Sequence, residues 1–266
     1  MLRALLDAGI MPDLVVGTSI GALNGALLCD NPTPGGVQRL EAIWEHAVTD
    51  GPLSLSLRSR VSAIATHRAR ATSHPEPLGR LLTENLSVSR IEELQVEFAC
   101  VAACIERAEE HWFTEGPIVP AVLASAALPG MFPAVEVDGE HFLDGGLVNS
   151  IPLDRARKMG AERAFVLQVG RIEQPLSAPR KPWEVAIVAF EVARRARFHA
   201  SLAKSRESID VHVLPTGGTG PRPTEWSNFD PFDTSRVTER IQAAREATAE
   251  YLAEHGLSGA PRGQHA

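Results

Sequence analysis

Short uninterrupted apolar runs alternate along this chain with stretches in which apolar residues recur every three or four positions, and their order outlines a fold. Residues 1–9 read as the last two turns of a helix, with Leu2, Leu5 and Leu6 on one face and Gly9 at its end. Leu14, Val15 and Val16 have the character of a buried strand, and residues 22–28 are helix formers that carry on to about Asp30. A Pro/Gly loop at 31–36 precedes an amphipathic helix at 37–48, in which Leu40, Ile43, Trp44 and Ala47 share a face. Residues 51–86 are less regular. Helical patterns at 58–70 and 77–82 lie either side of Ser73-His74-Pro75, and we expect a helical insertion whose apolar positions serve packing rather than a lid.

The second half is clearer. A buried strand at 96–105 turns through 107–110 into a strand at 111–114, a hairpin. An Ala-rich apolar helix at 118–127 is stopped by Pro129-Gly130, and residues 134–137 and 140–143 form a second hairpin across Asp138-Gly139. A short helix at 151–159 has Pro152 in its first turn, and 163–169 is a strand between two helices, as in a parallel sheet. After a Pro-rich loop at 174–182 come the longest helix (183–205), a last strand (209–214) and a last amphipathic helix (233–254). Trp183, Ile187 and Phe190 share a face of the longest helix ahead of Arg194, Arg195 and Arg197, which suits a core helix with a solvated basic end better than a helix lying on lipid. The pattern predicts one three-layer α/β domain over 1–255, with a mainly parallel central sheet flanked by helices, and a disordered tail at 256–266.

Composition narrows the function. At 266 residues, 44% hydrophobic and 22% charged, the chain is ordinary for a globular protein, and a net charge of -7 offers no electrostatic footprint for nucleic acid. The longest apolar run, 98–105 between Glu97 and Glu106, is far short of the roughly 18 residues that span a bilayer, as is 185–190 between Glu184 and Glu191, so any membrane contact is expected to be peripheral. No charged n-region with an apolar h-region opens the chain. Cys29, Cys100 and Cys104 lack metal-ligand spacing and read as reduced core thiols, which fits a cytoplasmic setting.

Between the first strand and its helix stands Gly17-Thr18-Ser19-Ile20-Gly21. A serine at a sharp strand-to-helix turn is held out above a helix N-terminus in a strained backbone conformation, and flanking glycines let strand and helix approach. That is the pattern of a nucleophile elbow. It acquires specificity from a second constellation, the run Ala124-Ser125-Ala126-Ala127-Leu128-Pro129-Gly130-Met131-Phe132-Pro133 followed by Leu143-Asp144-Gly145-Gly146-Leu147-Val148-Asn149-Ser150-Ile151-Pro152.

With these three motifs in this order, the chain closely resembles the patatin-like phospholipase family from about Leu2 to the strand ending near Val169. The resemblance implies a patatin-like hydrolase sandwich and a serine hydrolase acting on acyl esters of lipids or phospholipids, through a Ser19–Asp144 dyad and an acyl-enzyme, without cofactor or metal. An ionised Asp144 bonded to the hydroxyl can take its proton as the carbonyl is attacked. Gly145 and Gly146 are expected to let the backbone approach the elbow, and Asn149 and Pro152 to hold the loop after Asp144. His111, His141 and His212 read as satisfied or exposed strand histidines, although Ser19, Asp144 and His212 also stand in the chain order of a triad.

Family members carry a Gly-rich oxyanion loop before the helix that leads to the elbow strand. Here Met1-Leu2-Arg3-Ala4-Leu5-Leu6 matches that helix, and Gly35-Gly36, Gly145-Gly146 and Gly217-Gly218 fall elsewhere in the order. The N-H of Ile20, at the helix N-terminus, is a candidate for a residual oxyanion donor. Either the start is set at an internal Met, or the chain is a truncated, catalytically impaired protein that binds lipid or a partner. The intact dyad favours the first, which predicts that the nucleotide sequence upstream of Met1 encodes, in frame, a strand and a Gly-rich loop.

Overall fold

Strand β2 (Glu97–Cys104) is apolar on both faces because both are covered: every residue after Glu97 is buried. The computed structural model describes residues 1–49, 76–129, 132–168, 172, 175–179, 182–218 and 237–257, and β2 is the axis of its larger sheet. Strand β1 (Leu14–Thr18) runs parallel to β2, with Thr18 opposite Val101, and β3 (Glu109–Phe113) returns antiparallel along β2's other edge. Strand β4 (Val135–Val137) forms a hairpin with β5 (Glu140–Asp144). Strand β5 in turn pairs antiparallel with β2, placing Asp144 opposite Ala102.

Ala102 also faces His111 of β3, and Val101 faces Trp112, so β5 lies on the same edge of β2 as β1. The two strands meet end to end, their carboxyl ends facing at the adjacent register positions Val101 and Ala102. The sheet is therefore mixed rather than mainly parallel. Its hairpins have short connections, which permit only antiparallel pairing, and β1–β2 is its parallel pair. A second parallel pair, β6 (Arg163–Val166) with β7 (Asp210–Val213), forms a separate two-stranded sheet among the described residues.

Helices cover both faces of the larger sheet. On one side α1 (Leu2–Asp7) leads to β1, and α2 (Ile20–Asp30), α3 (Pro34–Thr49), α4 (Glu76–Asn85) and α5 (Ile118–Ser125) follow. Leu23, Ala26, Leu40, Leu82, Ile118 and Val122 pack there against Phe98, Cys100 and Ala102. On the other side lie the one-turn helix α6 (Gly146–Asn149), α7 (Leu153–Lys158) and α8 (Pro182–Ser205). The last helix, α9 (Val237–Glu254), packs on α1 through Leu252, Leu5 and Leu214. Leu6 of α1 instead joins Leu28 and Val37, so the expected single apolar face is divided between two clusters.

The basic end of α8 is solvated only in part, at Arg197, which is exposed. Arg195 is buried and, with Arg194, binds Glu191, while Arg197 reaches Glu110. Cys29, Cys100 and Cys104 are free and buried, and burial pushes the Cys29 thiol up to about 12, leaving it protonated at neutral pH. The helical pattern at 58–70, the turn residues Gly130 and Met131, the strand end at 169, the side chains of Trp183 and Ile187, and the tail from 258 lie outside the described residues. Gly256 and Leu257 are described, and they close α9 with bonds back to Ala253 and Leu252.

The glycines differ in what they permit. A Cβ on Gly145 would stand 2.1 Å from the carbonyl oxygen of Val101, whereas one on the helical Gly21 would meet nothing within 4 Å. Gly145→Ala is therefore expected to cost about 3 kcal/mol or more, and Gly21→Ala to add about 0.5–1 kcal/mol through helix propensity. Urea unfolding midpoints of the two variants test both signs.

Candidate functional site

Where β1 gives way to α2, Ser19 adopts φ 56° and ψ -123°. Among the described residues, the other non-glycine positions of positive φ are Ala108 and Asp138, each in a hairpin turn. Ser19 has no such turn to account for it, and a conformation of this kind costs about 1–3 kcal/mol, held in place by its surroundings. Gly17 makes the sharp turn possible, since a Cβ there would lie 2.5 Å from the carbonyl oxygen of Gly21 and 2.6 Å from Cα of Ala22. Gly21 has no such duty. The second glycine of the elbow is not required by packing, contrary to the expectation that both flanks bring strand and helix together.

The meeting of β1 and β5 brings the two expected residues together. Ser19 Oγ donates to Asp144 Oδ2 at 2.5 Å. The other carboxylate oxygen, Oδ1, accepts the Gly146 N-H at 2.7 Å, an Asx turn that fixes the carboxylate plane. Asp144 is only 3% exposed, and burial raises its pKa from the ordinary carboxylate value against the opposing effect of the Ser19 and Gly146 hydrogen bonds. Gly145 does not approach the elbow, as the sequence had suggested, but crosses the backbone of β2 at Val101. A Cβ on Gly146 would crowd Asp144 Oδ1 at 2.9 Å.

Asn149, 2% exposed, supports the loop on three sides. Its carbonyl accepts Thr18 Oγ1 at 2.9 Å, its N-H donates to Gly145 at 2.7 Å, and its amide donates to Glu110 and Asp154, each at 3.0 Å. Sequence reading did not find Thr18 or Glu110, whose shared partner Asn149 lies far away along the chain, or Asp154, which stands five residues from it. Nor did it single out Ser125, whose hydroxyl accepts the Ser19 N-H at 3.0 Å. A lone serine amid alanines was the available signal.

Ile20 opens α2, and the first amides of a helix have no acceptor within it. Its side chain is exposed, as are those of Leu128 and Leu147, so apolar groups flank the dyad's segments. His212 belongs elsewhere: its ring bonds Asp210 Oδ2 at 3.0 Å and Tyr251 Oη at 3.1 Å and stacks on Phe165. Asp144 is bonded to Ser19 directly, so the alternative triad is not assembled. His111 packs beside Phe113 and Phe142, and His141 pairs with Glu106. Among the described residues, no group of three His, Cys, Asp or Glu side chains is arranged to hold a metal ion, and no helix is long and apolar enough to cross a membrane.

A sequence model of the family described as "Patatin-like phospholipase" matches residues 1–157. The chain is similar to "Patatin-like phospholipase domain-containing protein ZK370.4" of Caenorhabditis elegans, 33% identical over 178 residues, which covers 65% of this chain and 12% of that protein. It is also similar to "Lysophospholipase nte1" of Aspergillus terreus, 29% identical over 181 residues, with 65% and 11% covered. To "Patatin-like phospholipase domain-containing protein 6" of Mus musculus it is 30% identical over 174 residues, with 64% and 12% covered. The chain thus spans only a small part of the length of these relatives.

The backbone strain at Ser19 can be isolated by two variants that both lack the hydroxyl. Glycine tolerates φ 56° and alanine does not, so Ser19→Gly is expected to be more stable than Ser19→Ala by about 1 kcal/mol in chemical unfolding.

Proposed function

The chain belongs to the patatin-like phospholipase family, and we propose that it is a serine hydrolase of lipid acyl esters, of the phospholipase A or lysophospholipase kind, working through Ser19 and Asp144. The 2.5 Å hydrogen bond from a strained elbow serine to a buried carboxylate carries this reading. Names containing phospholipase or lysophospholipase among the relatives support the substrate class, as do the exposed apolar side chains of Ile20, Leu128 and Leu147. Such a rim suits acyl chains presented from a lipid surface that the protein meets peripherally.

In the first half-reaction Ser19 Oγ attacks the ester carbonyl carbon while its proton passes to Asp144 Oδ2. The carbonyl π pair moves onto oxygen, and the Ile20 N-H at the head of α2 faces that charge. Collapse of the intermediate expels the alcohol, which takes the proton from Asp144, and leaves an acyl-Ser19. Water then attacks the acyl group by the same route with Asp144 again as base, releasing the fatty acid and restoring the hydroxyl. A carboxylate is a weak base at neutral pH, so burial helps twice, by raising its basicity and by holding it against the hydroxyl.

The sign of the pH dependence follows. Activity needs ionised Asp144, so kcat/KM should fall as the pH drops through a pKa above the ordinary carboxylate range. For stability the direction is opposite: a raised native pKa favours the protonated fold, and this contribution fades as the pH rises through that pKa. Asp144→Asn should accordingly lower turnover of p-nitrophenyl butyrate about 10³-fold or more and leave the thermal midpoint at pH 7 unchanged or higher. Ser19→Ala should abolish turnover and His212→Ala preserve it. Absence of Ser19-dependent hydrolysis, both in this chain and in one extended upstream, would favour a non-catalytic lipid- or partner-binding protein.

A further inference from the structure

Ser125 sits at the last position of α5, is fully buried, and touches both halves of the site. Its hydroxyl oxygen accepts the Ser19 N-H at 3.0 Å, and its carbonyl accepts the Gly145 N-H at 3.1 Å. The arrangement of β2 explains why the first of these is needed. Thr18 pairs opposite Val101, so a further β1 residue would pair opposite Ala102, but Asp144 already occupies that position. Ser19 also stands one residue ahead of α2, where no helical acceptor exists. Its amide can use neither sheet nor helix.

The contacts close into a ring. Thr18 Oγ1 donates to the Asn149 carbonyl, Asn149 N-H to the Gly145 carbonyl, Gly145 N-H to the Ser125 carbonyl, and Ser19 N-H to Ser125 Oγ. Nearby, Ala127 accepts the Asp144 N-H at 2.9 Å, so the end of α5 and the residues just after it hold the amides of Ser19, Asp144 and Gly145 together. Resting on the hydrolase reading above, we infer that Ser125 is a positioning residue for the dyad: its hydroxyl fixes the strained Ser19 backbone relative to Asp144.

This matters for the chemical step rather than for substrate capture. Ser19 Oγ must form its bond to the acyl carbon while its proton stays in line with Asp144 Oδ2, an alignment that requires the Ser19 Cα to be held fixed. Without the Ser125 hydroxyl, the part-buried Ser19 amide loses its partner, and the elbow can relax toward an ordinary conformation that turns Oγ away from Asp144. Ser125 itself reaches neither the proton in transit nor the substrate.

The test uses the full chain and two variants, Ser125→Ala and Ser125→Thr, with amide hydrogen exchange at Ser19 and kinetics on p-nitrophenyl butyrate. In the parent, the Ser19 amide should be protected. Ser125→Ala should lower that protection at least about tenfold while Val101 and Ala102 keep theirs, and should lower kcat about ten- to a hundredfold with KM unchanged. Ser125→Thr, which retains the acceptor, should restore protection and kcat to within about threefold of the parent. The inference is overturned by an unprotected Ser19 amide in the parent, by Ser125→Ala with parental exchange and kcat, or by a folded Ser125→Thr that behaves like the alanine variant. The first of these stands even if Ser125→Ala does not fold. A parent chain with a protected Ser19 amide but no Ser19-dependent turnover overturns the hydrolase reading and not the contact.

Discussion

One edge of β2 serves two strands in succession, and the site depends on that exchange of partners. β1 pairs with it as far as Val101 and β5 from Ala102, so two carboxyl ends approach head-on with no sheet position left between them. Each chain must leave the sheet within a residue. β1 does so through Ser19 into α2, and β5 through Gly145 over the backbone of Val101. The last side chains before the exits, Ser19 and Asp144, are left facing each other. Gly17 and Gly145 are needed because these exits are tight, and they are the two site glycines whose Cβ would strike backbone.

Leaving a sheet abruptly strands backbone amides, and a buried amide without a partner costs about 1–3 kcal/mol. The end of α5 and the residues after it accept three of them, and the Asp144 carboxylate accepts a fourth from Gly146. This Asx turn is also the ordinary way for an Asp-Gly-Gly segment to finish a strand. In a lone motif it would be the whole role of the aspartate. Here the two roles coexist, because the turn occupies Oδ1 and leaves Oδ2 for the serine.

The elements were legible in the sequence to within a few residues because their apolar rhythms are strong, as at β2, both hairpins and α9. The pairing of Ser19 with Asp144 was legible for a different reason: the resemblance to the patatin-like family implied it, on segments in which Gly17 and Gly145 meet tight backbone demands. What could not be read depends on register between distant segments. Whether β5 joined β2 beside β1 or on the far edge leaves no trace in composition, and that choice moved Gly145 from the elbow to Val101. Ser125 escaped notice similarly, since its partner lies 106 residues away and its local setting is that of a small residue in a packed helix. Arg194 and Arg195 of α8 were misjudged because Glu191, one turn back, binds both of them.

The bond between Ser19 N-H and Ser125 Oγ also bears on how charge would be met during acyl transfer. An elbow presents two amides near the reacting centre, those of the serine and of the next residue. With the first engaged by Ser125, it cannot turn toward an oxyanion without giving up the contact that holds the elbow. The Ile20 amide has no intrahelical acceptor, heads the eleven-residue α2, and gains from the alignment of peptide dipoles behind it. Under the proposed mechanism the two amides would therefore divide the work, one fixing the serine backbone and the other facing the developing charge. A single donor of this kind is worth about 10²–10³ in rate, so a chain relying on Ile20 alone would gain most from any further amide brought to the same side of the elbow.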